Sequence, residues 1–321
     1  MAAFGRDTTT DEVLAGLDLS GRHVVITGAA GGLGRESARA MAAHGASVTV
    51  TARDRRRAQN AVSELRQLVP GGRFDAGVVD LGDFSSIRSF TDGFLADHDA
   101  IDVLINNAGV MACPFGHTVD GFETQFGTNY LGHFLLTELL LERLKAGAPS
   151  RIVCVSSVAH VGMRGRGGEL HLDDLNGDRR PYDGMEAYAQ SKLAIVLQAV
   201  SLARRLEGTG VTAVSVHPGW IRSNLVSHTM PAWVQNGLLR PLSPFLGMLS
   251  AEDGAQTTLH CLLADDVPAH AGAYYSQNSI LYPDRRDRPG GWPMPSPNPR
   301  ARDGALAEAL YQASRRLVGL G

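Results

Sequence analysis

The stretch "RHVVITGAAGGLGRESARAMAAHG", Arg22 to Gly45, does most to limit what this chain can fold into. It opens on a short Val/Ile run stopped by glycine, which reads as a buried strand over Arg22–Gly28. An Ala-, Glu- and Arg-containing helix follows over Leu33–Gly45 and stops on glycine. Between them Gly28, Gly32 and Gly34 give the spacing GxxxGxG. Glycine there lets the backbone turn tightly and approach a pyrophosphate, and the helix start offers free N–H groups and a positive dipole end. A glycine-rich turn can be no more than a turn. Its place between a strand and a helix, at the head of a βαβ run, is the context that dinucleotide binding requires.

The alternation continues down the chain. "ASVTVTA", "FDAGVVD", "IDVLINNAG", "RIVCVSS", "VTAVSVHPG" and "GAYYSQ" read as further strands. "DRRRAQNAVSELRQLV", "FSSIRSFTDGFLADH", a stretch from about Val119 to Ala146, "MEAYAQSKLAIVLQAVSLARRLEG" and "AEDGAQTTLHCLLA" read as helices. The strands are continuous apolar runs, as expected where both faces are covered. The predicted fold is α/β, a doubly wound (Rossmann) parallel sheet of about seven strands with helices on both faces. Residues 1–20 are expected to form an arm and residues 21–280 the domain. Residues 281–321 are expected to be an irregular Pro/Arg-rich extension ending in a short helix. Two segments exceed what a compact α/β unit needs, His160–Met185 and the stretch from Trp220 to about Ser250, and long loops of this kind are usually functional or mobile.

Composition excludes several classes. With 321 residues, 44% hydrophobic, and a formal net charge of -3, the chain has a soluble composition and no electrostatic reason to bind nucleic acid or an acidic membrane. Cys113, Cys154 and Cys261 are far apart, and the eleven histidines form no HExxH or Cys/His cluster, so neither a disulfide framework nor a metal site is expected. The polar start "MAAFGRDTTTDEV" is unlike a secretory signal, and no uncharged apolar run reaches the ~20 residues of a membrane span. A cytoplasmic location is the default expectation.

The end of the second strand bears on cofactor choice. An acidic residue there would bind the adenosine ribose hydroxyls. Here "VTVTARDRRR" puts Arg53 first and Asp54 second. A guanidinium suits a 2′-phosphate, so NADP is expected over NAD.

In "YAQSK", Tyr188 and Lys192 lie four apart and share a helix face. On spacing alone this is as compatible with a core Tyr beside a solvated Lys as with chemistry. Its context is more specific. TGxxxGxG (Thr27–Gly34), Asp80–Leu81 after the third strand, NNAG (Asn106–Gly109), Asn129, Ser157, YxxxK and Pro218–Gly219 occur in one order. Together they resemble the short-chain dehydrogenases/reductases over roughly Leu19 to Gln277. "NNAGVM", "TNYLGHFLLT", "IVCVSSVAH", "YAQSKLA" and "HPGWIRSNL" resemble its retinol-dehydrogenase-like branch, which includes WW-domain oxidoreductases; protochlorophyllide reductases are similar too.

The resemblance implies roles. Gly28, Gly32, Leu33 and Gly34 would meet the cofactor at the turn, with Arg53 at its adenosine end. Asp80, next to Leu81, would bracket the adenine, and Asn107, Ala108 and Gly109 would line the cofactor. Pro218, Gly219 and Ile221 would lie on the nicotinamide side, with Ser223 where the family usually has Thr. Tyr188 would be the acid/base, Ser157 (with Ser156 as its neighbour) would bind the substrate oxygen, and Asn129 would hold a water leading to Lys192. Lys192 would hold the nicotinamide ribose and lower the Tyr188 pKa from its free value of about 10.

Ser157 and Tyr188 are 31 positions apart, further than in the shorter family members, and the retinol-dehydrogenase-like branch carries a similar insertion. No membrane anchor of the kind found on many vertebrate relatives is expected from these residues. The expected reaction interconverts a hydrophobic alcohol and its ketone or aldehyde. A lid over about 220–250, rich in apolar residues such as Trp220, Met230, Trp233 and Phe245, suggests a bulky apolar substrate. The alternatives are a C=C reductase or a non-catalytic NADP-sensing protein. The glycine spacing disfavours an epimerase, and no GxSxG supports a hydrolase. A homodimer or homotetramer paired through the helices of Asn129 and Tyr188 is a further possibility. The apolar faces there, including Leu135, Leu136, Leu140, Leu193, Val196 and Leu197, would equally suit an intramolecular core.

Overall fold

The computed structural model describes residues 9–162, 168–219, 250–276 and 296–321. Seven strands form one sheet: β1 His23–Thr27, β2 Ser47–Ala52, β3 Arg73–Val78, β4 Val103–Asn106, β5 Ser150–Val155, β6 Val211–His217 and β7 Tyr274–Ser276. Their order is β3-β2-β1-β4-β5-β6-β7, and every pairing is parallel. The order reverses between β1 and β4, so a crevice opens beyond the carboxyl ends of these two strands.

Helices cover both faces. α1 is Thr10–Leu14, α2 Gly32–Ala43, α3 Arg55–Leu68 and α4 Phe84–Asp97. The helical stretch expected from Val119 begins at α5 (Thr124–Phe126), widens into a π turn over Gly127–Leu131, and continues as α6 (Gly132–Ala146). α7 is Gly184–Arg205, α8 Ala251–Leu263 and α9 Gly304–Leu317. Alternation within the strands assigns side chains to two cores. Val24, Ile26, Val48 and Val50 pack with α2, α3 and α8, whereas Val25, Leu104 and Ile152 pack with α4, α6 and α7.

Among the described residues, the segment before β1 carries the short helix α1, and α9 lies where a helix is expected at the end of the C-terminal extension. α1 is closed by a capping box, in which Thr9 Oγ1 accepts from the Glu12 N–H and Glu12 accepts from the Thr9 N–H. Val13, Leu14 and Leu19 join the α2/α8 core. At the other end α9 lays Ala307, Leu310 and Tyr311 into the core of α6 and α7. Tyr130 and Ser314 share a hydrogen bond at 2.8 Å, and Tyr311 donates to Glu138 at 2.8 Å. Of the apolar residues that could pair two chains, Leu135, Leu136, Leu140, Leu193, Val196 and Leu197 are buried within the chain, whereas Leu139 is half-buried. Among the described residues no helix is long and apolar enough to cross a membrane, and no cluster of possible metal ligands occurs.

Candidate active site

The predicted site residues that the structure describes come to one edge of the sheet. β1 ends at Thr27–Gly28, β4 leads into Asn107–Gly109, β5 into Ser156–Ser157, and β6 into Pro218–Gly219. Ile221, Ser223 and the apolar residues of the expected lid lie outside the described residues.

The glycine turn fits a pyrophosphate. Gly28 has φ +69°, and a Cβ there would come within 2.8 Å of Ala108 Cβ, so turn and β4 loop meet only because Gly28 has no side chain. The residue before α2, Gly31, gives no side-chain cap, and a Cβ on it would meet nothing within 4 Å. The first N–H groups of α2, at Gly32, Leu33 and Gly34, thus receive no side-chain cap, as an anion site needs.

At the end of β2 the two charged residues take different parts. Asp54 caps α3, accepting from the Arg57 N–H at 2.8 Å, and pairs with Arg57 Nε at 3.2 Å. Arg53 is exposed and makes no ion pair among the described residues. Asp80 turns back on its own loop, where it accepts from the Gly82 N–H at 2.9 Å, and Leu81 is buried.

Asn129 lies in the π turn, an irregularity that often marks functional sites. Its Oδ1 accepts from the Val110 N–H at 2.8 Å, and its Nδ2 donates to the Val110 carbonyl at 2.9 Å and to Ser191 Oγ at 3.0 Å. Ser191 in turn donates to the Tyr188 carbonyl at 2.8 Å. The serine inside "YAQSK" is thus a strut between Asn129 and the helix of Tyr188. Gln190 of the same motif ties down the insertion, accepting from the His171 N–H at 3.1 Å and donating to the Leu175 carbonyl at 3.0 Å.

Sequence reasoning passed over His133. Its Nδ1 is 2.8 Å from the Asn129 carbonyl oxygen and its Nε2 is 2.8 Å from Thr27 Oγ1. A carbonyl only accepts, so Nδ1 carries the proton and Thr27 donates to Nε2. Burial keeps the ring neutral, with its pKa lowered to about 4. Thr27 Oγ1 also accepts from the N–H groups of Asn107 and Ala108 at 2.9 and 3.0 Å. One neutral imidazole therefore joins the glycine turn, the NNAG loop and the π turn. Any water on the Asn129 carbonyl would use the lone pair that His133 leaves. The only sequence signal was "GHF", a polar residue inside an otherwise apolar helix.

Tyr188, Lys192 and Ser157 lie near one another. Ser157 lies close enough to the Tyr188 phenol to act on its pKa. Lys192 Nζ donates to the Val155 carbonyl at 3.0 Å and lies 5.5 Å from the Tyr188 ring centre. A Cβ on Gly109 would be 3.6 Å from that Nζ, so the ammonium borders the NNAG loop. The expected lowering of the Tyr188 pKa by Lys192 does not occur. Burial raises the phenol to about 12, and the Ser157 hydrogen bond offsets this only in part. Burial also lowers Lys192 to about 8. For both groups desolvation by burial is the largest cause of the shift.

Known proteins are similar to this chain in sequence and in fold. Residues 22–167 match the family described as short chain dehydrogenase. Human "Retinol dehydrogenase 12" is 45% identical over 304 residues, 95% of this chain and 88% of that protein. The chain belongs to the short-chain dehydrogenase/reductase family. As a member it is an NAD(P)-dependent oxidoreductase. Human "Retinol dehydrogenase 13" is 39% identical over 304 residues, 94% of this chain and 86% of that one. Among solved structures, an uncharacterised protein from Mycobacterium paratuberculosis superposes with a TM-score of 0.71 at 34% identity, over 99% of this chain and 98% of that chain. A 7α-hydroxysteroid dehydrogenase bound to NADH shares the fold, with a TM-score of 0.62 at 23% identity over 84% of this chain and 96% of its own.

Proposed function

We propose that this short-chain dehydrogenase/reductase reduces the carbonyl of a bulky hydrophobic ketone or aldehyde with NADPH, and oxidises the matching alcohol in reverse. The retinol dehydrogenases among its relatives support an apolar substrate. Arg53, exposed at the end of β2 beside an Asp54 already spent on capping, supports a 2′-phosphate on the cofactor.

The uncapped start of α2 at Gly32, Leu33 and Gly34 would hold the pyrophosphate, and Asn107, Ala108, Gly109 and Lys192 would line the nicotinamide half. Once bound, the cofactor supplies the hydride. The chain's own residues handle the oxygen and the proton. Ser157 Oγ accepts from the Ala159 N–H at 3.2 Å, which leaves its proton for the substrate oxygen or Tyr188. Tyr188, raised to about 12, keeps its proton at neutral pH and donates it to the oxygen that gains charge as a carbonyl is reduced. Oxidation requires Tyr188 to surrender a proton that burial has made harder to lose.

The observation that carries this reading is the convergence of Ser157, Tyr188 and Lys192 beside Gly109. Tyr188→Phe removes the proton donor and keeps the ring. We expect kcat on hydrophobic ketones to fall by roughly 10²–10⁴-fold with NADPH affinity retained. Retained turnover in that variant would sink the assignment.

A further inference from the structure

The C-terminal extension reaches back to the serine at the end of β5. His160, in the 3₁₀ turn Val158–Val161 that Ser157 caps, is fully buried. Its Nδ1 lies 2.7 Å from the Ser157 carbonyl oxygen and its Nε2 lies 2.6 Å from Ser296 Oγ. The carbonyl can only accept, so Nδ1 carries the proton, Nε2 is an acceptor, and the Ser296 hydroxyl donates to it. Burial holds the ring in this neutral form, with its pKa lowered to about 4. The Tyr274 ring packs against the imidazole at 4.6 Å between centres.

The extension is itself held firmly at this point. Ser296 Oγ accepts from the Asn298 N–H at 3.1 Å. Asn298 Nδ2 donates to the His160 carbonyl at 2.8 Å and to the Gly168 carbonyl at 3.0 Å. Gly168 returns its N–H to Val161 at 2.9 Å, and a Cβ on Gly168 would collide with the His160 carbonyl oxygen. Arg300 pairs with Glu169 at 2.9 Å. Ser296 and Asn298 are buried, so these bonds are shielded from water and an unpaired partner there is costly.

We propose that Ser296 and His160 form a positioning pair through which the C-terminal extension sets the backbone of Ser157, and with it the direction of the hydroxyl that meets the substrate oxygen. The Ser157 carbonyl fixes the His160 tautomer, and the Ser296 hydroxyl satisfies the ring nitrogen thereby left as an acceptor, which holds the imidazole in place against that carbonyl. Neither residue touches substrate; both act through Ser157, so the proposal rests on the reading of Ser157 given above. An active-site donor displaced by a fraction of an ångström loses rate more than binding. The pair should therefore govern kcat and leave cofactor affinity alone.

The test uses the full-length protein with NADPH and a hydrophobic ketone that the wild type reduces. Ser296→Ala, Ser296→Thr, His160→Ala and the Ser296→Ala/His160→Ala double variant are compared, with NADPH-binding stoichiometry measuring the folded fraction. We expect Ser296→Ala to lower kcat per folded molecule by about 5- to 30-fold, with NADPH Kd within about twofold of wild type. Ser296→Thr restores the hydroxyl and should recover most of the rate. The double variant should be no slower than His160→Ala, because the two residues act as a unit. Wild-type kcat in Ser296→Ala, no recovery in Ser296→Thr, or additive losses in the double variant would overturn the proposal. If the wild type binds NADPH but reduces no ketone, the reading of Ser157 fails by itself. Amide exchange at His160 and Gly162 then decides the pair: faster exchange in Ser296→Ala supports it, and unchanged exchange overturns it.

Discussion

Ser156 Oγ donates to the main-chain carbonyl of Lys192 at 2.7 Å. The serine beside Ser157 is thus a clamp between the end of β5 and the helix that carries Tyr188 and Lys192. Two adjacent serines have opposite faces and opposite work. Ser156→Ala should cost about 1 kcal/mol of stability and little turnover. Ser157→Ala should cost roughly 10²-fold or more in kcat, together with about 1 kcal/mol of stability from the lost cap on the Ala159 N–H. Chemical denaturation alongside steady-state kinetics on both variants tests this, and the reverse pattern would exchange the two roles.

Arg53 gives the cofactor prediction. It is exposed and unpaired among the described residues, so replacing it disturbs no fold contact. Arg53→Ala should raise KM for NADPH by roughly 10- to 100-fold and leave KM for NADH nearly unchanged, since a charge-assisted hydrogen bond is lost only where a phosphate is present. Equal effects on both cofactors would remove the argument for a 2′-phosphate.

Lys192 links the site to stability. Its pKa is about 8 in the folded protein against an ordinary 10.5, so between those values the unfolded chain binds more protons. Stability from this group therefore rises as pH increases from about 8 to 10.5, by on the order of 3 kcal/mol. Lys192→Met lacks this dependence. Urea denaturation of both proteins at pH 7 and at pH 10 should show the wild type gaining on the variant; a constant difference would mean that the ammonium is not held in a desolvated position.

α9 bears on assembly. It covers the outer surface of α6 and α7 through Leu310 and Tyr311, and Arg205 lies 3.5 Å over the Tyr311 ring while pairing with Glu308. With that surface occupied, light scattering on the intact protein should give the mass of one chain. Leu310→Asp, which puts a charge into a buried contact, should release α9 and promote association through the exposed apolar face. A stable wild-type dimer would contradict this.

Much of the fold was legible because its signals are local. Runs of Val and Ile identify strands covered on both faces, and the glycine triplet sits where β1 turns into α2. The alternation implies a parallel sheet, whereas the strand order β3-β2-β1-β4-β5-β6-β7 comes from the tertiary structure. The ends of the chain were less legible. Nothing in "GALAEALYQASRRL" says which helices it will cover, because an amphipathic stripe specifies that a face is buried but not against what.

For the site, the sequence by itself determined which chemical groups are available: a Tyr and a Lys one turn apart, a serine at a strand end, an asparagine and a glycine turn. Only the tertiary structure decided their energetics and their supports. The Tyr188 and Lys192 pKa values are set by how much water the surrounding core excludes, and burial is a sum over distant segments that no spacing encodes. The same holds for His133 and His160. Each is an unremarkable letter in the chain, and each becomes a fixed tautomer because folding places a carbonyl at one ring nitrogen and a hydroxyl at the other.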